Sequence, residues 1–162
     1  FFGICLGMQL AVIEIARNVL KLKKANSSEF KKTPKSVVGL MTEWVKGKKI
    51  EKRTKFSNKG GTMRLGSYKA KLIRNSKIYS IYKKNVISER HRHRYEVNEK
   101  YISKFKNKGY IFSGMSPDGL LPEVLESKLH KWFIGVQFHP ELKSRPLRPH
   151  PLFVSFIKSC IK

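Results

Sequence analysis

The sequence predicts an α/β domain whose later part is antiparallel. Three observations point there. A short apolar opening, Phe-Phe-Gly-Ile, leads at once into a stretch with helical periodicity. Strand-like and helix-like segments then alternate through the first half. Three apolar runs, "YIFSGMS", "LLPEVLE" and "KWFIGVQF", come late, the first two joined by the turn "SPDG".

The elements follow in order. Residues 1–4 read as the end of a buried strand. From Gly7 to Leu20 the pattern is helical, with Met8, Val12, Ile15, Ala16 and Val19 on one face. "KKANSSEFKKTPK" is a loop by composition. "SVVGLMTEW" is a Val-rich strand, and "VKGKKIEKRTKFSNKGG" a charged hairpin ending in Gly-Gly. "SYKAKLI" alternates apolar and basic residues, as a half-buried strand does. "NSKIYSIYKK" is a short helix capped by Asn75 or Ser76. "VISERHRHRYEVN" reads as strand, polar turn, strand. "EKYISKFKNKG" is a helix closed by Gly109. "HPLFVSFIKSCIK" is a last amphipathic helix. There is no internal repeat and no low-complexity linker. The first strand arrives short, so the expectation is the later portion of a larger domain.

With 162 residues and 40% hydrophobic content, the chain can bury a real core. No run approaches the ~20 apolar residues that span a bilayer, and residues 1–10 lack the marks of a secretory leader. Cys5 and Cys160 stand at opposite ends, which suits a reducing cytoplasm better than a disulfide framework. The charge is lopsided, at +24. It admits a basic nucleic-acid-binding surface or simply lysines spread over solvated faces. The lysines are scattered rather than interleaved with stacking aromatics, which favours the second.

The chemistry centres on "GICLG". Cys5 stands where a strand meets a helix, between Gly3 and Gly7, the layout of a nucleophile elbow. The sharp turn needs small neighbours. The helix start favours thiolate, and the Leu6 N–H is placed for an oxyanion. The other reading is a small packed thiol. Far downstream, "VQFHPE" offers His139 as base and acid, Glu141 as the carboxylate that orients it, and Pro140 to fix the backbone between them. His91 and His93 do not make a metal site, since arginines flank them and no third ligand is near. "GGTMRLG" lacks the Lys-Ser/Thr ending of a phosphate loop.

Together, "GICLGMQ" and "VQFHPE" resemble the class I (triad-type) glutamine amidotransferases. "NSSEF", "GGTMRLG", "ERHRHRYEVN" and "PHPLF" resemble one branch, the glutaminase domains of CTP synthases, over essentially the whole chain. The resemblance implies a three-layer α/β fold with a mostly parallel sheet, spanning residues 1–162 as one amidotransferase domain. It implies Cys5 as nucleophile, His139 as base and acid, and Glu141 as the third member of the triad. It places Leu6, Gly7, Met8, Gln9, Glu29 and Arg94 on L-glutamine, Glu29 meeting the α-ammonium and Arg94 the α-carboxylate. Arg64 would belong to a lid linked to GTP activation. No cofactor is implied within this chain. ATP and Mg2+, with UTP as substrate and GTP as activator, are implied for a whole enzyme, in which a synthetase domain uses the ammonia to turn UTP into CTP.

The same resemblance implies a cytoplasmic homotetramer, with neither membrane nor nucleic acid as partner. A second oxyanion donor would lie on a glycine-rich loop before the nucleophile. The expectation is therefore that this stretch alone hydrolyses glutamine weakly or not at all. Two alternatives stand beside this reading. One is another class I amidotransferase subunit. The other is an inactive basic remnant or nucleic-acid-binding module.

Overall fold

The computed structural model describes residues 1–40, 43–46, 49–52 and 63–161. A six-stranded sheet forms its centre. Strand β1 (Phe2–Ile4) pairs in parallel with β11 (Ile134–Val136). Next come β10 (Pro122–Ser127), β9 (Tyr110–Met115), β6 (Arg64–Leu72) and β7 (Val86–His93), so the order is β1-β11-β10-β9-β6-β7. A smaller sheet joins β2 (Asn26–Ser27), β3 (Ser36–Leu40) and β8 (Tyr95–Val97). Strands β4 (Glu43–Lys46) and β5 (Lys49–Lys52) form a separate antiparallel pair, as the charged hairpin requires. The rest of that predicted hairpin, residues 47–48 and 53–61, lies outside the described residues.

Helices cover both faces, which gives the three layers. Helix α1 (Leu6–Asn18) buries Met8, Val12, Ile15 and Ala16, the face its spacing predicts. It shares a core with Val37, Val38, Val97, Phe112, Leu125 and Phe105 of α3 (Ile102–Lys106). Across the sheet, Ile78 of α2 (Lys77–Tyr82) and Leu152 of α4 (Pro151–Cys160) pack with Val124, Ile134, Val136 and Phe138. Neighbours Val124 and Leu125 thus face opposite cores, as the period of a strand dictates. Ser76 caps α2 through its hydroxyl, and Gly109 follows α3 with φ +80°.

Four expectations change. The sheet is mixed rather than mostly parallel: among the described residues, β1–β11 is its only parallel pair. The alternation of strands and helices suggested parallel crossovers, but α2 connects antiparallel neighbours, β6 and β7. "ERHRH" is not a turn. It lies within β7, where Ile87, Glu89, His91 and His93 point inward and Ser88, Arg90 and Arg92 outward. The chain turns at Arg94 instead. "SVVGLMTEW" divides between β3 and β4, with Met41 and Thr42 outside the described residues.

Arg64 is the fourth. It begins β6, is only 2% exposed, and forms ion pairs with Glu96 and Glu123. It is therefore a core strand residue, not a lid residue. An arginine needs two buried carboxylates to leave water, and here it has them. Gly60, Gly61 and Thr62 of the expected lid lie outside the described residues.

Candidate active site

Two strand ends build the site. Ile4 lies beside Val136, and the Cys5 N–H donates to the Val136 carbonyl at 2.7 Å. The residues after both strands therefore emerge side by side, one strand spacing apart (about 4.8 Å). Cys5 follows β1, and Gln137, Phe138 and His139 follow β11.

Cys5 holds φ +49°, ψ −101°, a conformation that non-glycine residues rarely adopt. It is the strained elbow that the sequence predicts. Helix α1 starts immediately after it and lies close on both strands. A Cβ at Gly3 would come within 2.8 Å of the Gly7 carbonyl carbon. One at Gly135 would meet Met8 Cγ at 3.0 Å. Gly7 differs: a Cβ there would meet nothing within 4 Å among the described residues, which leave space beside Cys5.

The thiol is not poised as thiolate. Burial pushes Cys5 up to about 11. The Leu6 N–H lowers it, but Glu96, Glu141 and Glu29 add their negative fields and raise it again. The helix start was expected to favour thiolate, and desolvation outweighs it. The influence of Glu29 also places that exposed carboxylate within electrostatic reach of the thiol.

His139 has one ring nitrogen engaged and one not. Its Nδ1 contacts Glu141 Oε1 at 2.6 Å. Its Nε2 is buried and has no hydrogen-bond partner among the described residues. The backbone is pinned: the His139 N–H donates to the Arg90 carbonyl at 2.8 Å, and Pro140 opens a single 3₁₀ turn, Pro140–Leu142. Lys143 closes the turn from the other side, donating to the Ser88 carbonyl at 2.7 Å.

The residues expected on glutamine divide into two groups. Leu6 and Glu29 are exposed, and Gly7 and Arg94 are half-buried. Met8 and Gln9 turn their side chains into the protein, at 0% and 3% exposure. Met8 offers a ligand only backbone. Gln9 Nε2 donates to the Tyr95 carbonyl at 2.9 Å and to Gln137 Oε1 at 3.2 Å. Gln137 Nε2 in turn points to Cys5 Sγ at 3.8 Å. The sequence reading missed Gln137. Its signal was a polar residue inside the apolar run "IGVQF". An open cavity of about 850 Å3, lined by Arg90, Arg92, Lys143, Arg145 and Arg148 among others, adjoins the catalytic turn. Among the described residues no cluster of three or more His, Cys, Asp or Glu side chains can hold a metal ion. No helix among them is long and apolar enough to cross a membrane.

Comparison with known proteins gives a consistent picture. Residues 1–159 match the family model described as "Glutamine amidotransferase class-I". The CTP synthase of Rhizobium johnstonii is 62% identical over 159 residues, 98% of this chain and 29% of that protein. The CTP synthase of Pelagibacter ubique is 64% identical over 160 residues, again 98% of this chain and 29% of the relative. The chain thus spans under a third of the length of these relatives. The Trypanosoma brucei CTPS glutaminase domain, solved with bound acivicin, superposes with a TM-score of 0.84 at 37% identity. That match covers 98% of this chain and 58% of the solved one.

Proposed function

The chain belongs to the class-I glutamine amidotransferases, and from that membership we propose that it supplies the glutaminase activity of a CTP synthase. The observation that carries the chemistry is the histidine. One nitrogen of His139 is fixed on Glu141, and the other is buried without a partner among the described residues, beside the strand end that delivers Cys5.

In this reading the glutamine side-chain amide lies over Cys5. The sulfur attacks the amide carbon while His139 Nε2 takes the thiol proton. A thiol held near 11 needs that transfer during attack, not before it. Glu141 steadies the imidazolium that forms. The carbonyl oxygen gathers negative charge, and the Leu6 N–H at the start of α1 stabilises it. His139 then gives the proton to the departing nitrogen, and ammonia leaves a γ-glutamyl thioester on Cys5. Water, deprotonated by His139, attacks the thioester. Glutamate leaves, and the thiol regains its proton. Glu29 and Arg94 hold the α-ammonium and α-carboxylate. Leu6 and Gly7 line the open side of the pocket, with Met8 contributing backbone only.

The ammonia serves an ATP-dependent amination of UTP to CTP by a synthetase partner domain in a cytoplasmic homotetramer. ATP, Mg2+, UTP and the activator GTP act there or between the two parts. The identity to CTP synthases along the whole chain supports this branch over other class I amidotransferases.

The test is glutamine hydrolysis by the full gene product carrying these residues. Cys5→Ala should abolish it, and His139→Ala should lower kcat by about 10²–10⁴-fold. Both variants should keep ammonia-dependent CTP formation. Glutamine hydrolysis at the parental rate in either variant overturns the triad. Failure of the parent to form CTP from UTP and ammonia overturns the synthase assignment.

A further inference from the structure

Arg64 occupies a position that the proposed mechanism does not use. Its guanidinium reaches Glu96 Oε1 at 2.9 Å and Glu123 Oε1 at 2.8 Å, and it stacks over Tyr68 at 4.5 Å. All three charged side chains are buried. His91 and His93 close the cluster, with His91 Nε2 at 3.6 Å from Glu123 and His93 Nδ1 at 3.4 Å from Glu96. The two rings meet at 2.9 Å.

The two carboxylates come from different sheets. Glu96 is the middle residue of β8 in the small sheet, two positions after Arg94. Glu123 is in β10 of the large sheet, which carries Cys5 and His139 at its strand ends. Each also stands at an anchor of the thiol's support. The carbonyl of Tyr95, next to Glu96, accepts from Gln9. The carbonyl of Glu123 itself accepts from the Gln137 N–H at 2.9 Å. Gln9 and Gln137 then join each other, and Gln137 reaches the sulfur.

We propose that Arg64 is a positioning residue for glutamine hydrolysis: by tying Glu96 to Glu123 it locks the two sheets together and holds the Gln9–Gln137 pair under the Cys5 thiol. The planar fork of arginine is needed because it serves two carboxylates at once. A lysine ammonium keeps the charge but cannot present the same pair of parallel donors. The proposal rests on the glutaminase reading, and its test separates the two.

In the full gene product, Arg64→Lys and Gln137→Met are compared with the parent. The readouts are melting temperature, kcat and KM for glutamine, and the pH profile of Cys5 alkylation by iodoacetamide. Arg64→Lys should melt within a few degrees of the parent. Its kcat should fall by about tenfold or more, as misplaced reacting groups cost, with a much smaller change in KM. The alkylation profile should move to higher pH, because the sulfur loses a donor that favours thiolate. Gln137→Met, which leaves the ion cluster intact, should show the same two changes. Parental kcat and alkylation profile in a folded Arg64→Lys overturn the proposal. So does an activity loss that tracks melting alone. Should Arg64→Lys not fold, parental values in Gln137→Met overturn it instead. Iodoacetamide needs no glutamine site. A parent that hydrolyses no glutamine thus refutes the glutaminase reading and leaves the alkylation comparison standing.

Discussion

Gly7 and Gly3 flank the same cysteine for different reasons. Gly3 lies against the start of α1, and a Cβ there collides with backbone. Gly7 faces space that the described residues leave open. Its smallness therefore serves whatever approaches Cys5, not the packing. Gly7→Ala should leave the fold at least as stable, since alanine loses less chain entropy on entering a helix, by about 0.5–1 kcal/mol. The KM for glutamine should rise severalfold. Thermal melting and steady-state kinetics check both halves, and an unchanged KM refutes the assignment of that open side to substrate.

Single residues also show what a sequence can reveal of a site. Cys5, His139 and Glu141 could be singled out as candidates because each lies in a short motif with a recognisable local geometry. The elbow is the strained backbone of one residue, Cys5, and the His–Glu contact spans two positions. Arg64, Glu96, Glu123 and Gln137 were not legible as a group. Arg64 and Glu123 are separated by 59 positions and meet only across strands. A glutamate in "LLPEVLE" looks like a solvated edge until its partner is known. Arg64 was misjudged for the same reason: its neighbours in sequence are loop-like, while its neighbours in space are acids.

At the scale of elements, helix α1 determines how the site is presented. It rests on β1 through Gly3, backbone against backbone, and on β11 through the Met8 side chain seated over Gly135. The consequence is a short, stiff path from the sheet to the elbow. Gly135→Val should force Met8 away from the strand and cost about 1–3 kcal/mol. Denaturant unfolding should show a lower midpoint with an unchanged slope. A variant as stable as the parent would mean that α1 has room to retreat.

The elements themselves were largely legible. The helical spacing from Met8, the cap at Ser76, the closing Gly109 and the "SPDG" turn are local chemistry, and each falls where the sequence placed it. β7 escaped because its alternation is polar on both faces: His91 and His93 inward, Arg90 and Arg92 outward. A period-2 pattern is invisible to hydropathy when the buried face is made of histidines and a glutamate.

For the molecule as a whole, the buried cluster links folding to pH. Desolvation raises Glu123 from 4.5 to about 7, against the pull of Arg64. The folded chain then holds a proton that the unfolded chain releases. Glu123 thus adds stability that is full below 4.5 and fades as pH rises through 7. His93 has the opposite sign: burial, with Arg64 beside it, lowers it from 6.5 to about 3. Its contribution is full above 6.5 and fades as pH falls toward 3. Glu123→Gln isolates the first effect. The melting temperature of the parent minus that of the variant should be largest near pH 4.5 and shrink steadily to pH 7. A difference that grows with pH refutes the assignment.

The sequence by itself pointed to the family, to Cys5, His139 and Glu141 as candidates, and to the order of most elements. These depend on residues a few positions apart, where spacing and turn chemistry act directly. The direction of the sheet's pairings, the strand nature of "ERHRH", the burial of Gln9 and the true place of Arg64 came only with the folded chain. Each depends on which strand lies beside which. That choice is made by the summed burial of both cores and by ion pairs between distant residues, and no short window of sequence contains it.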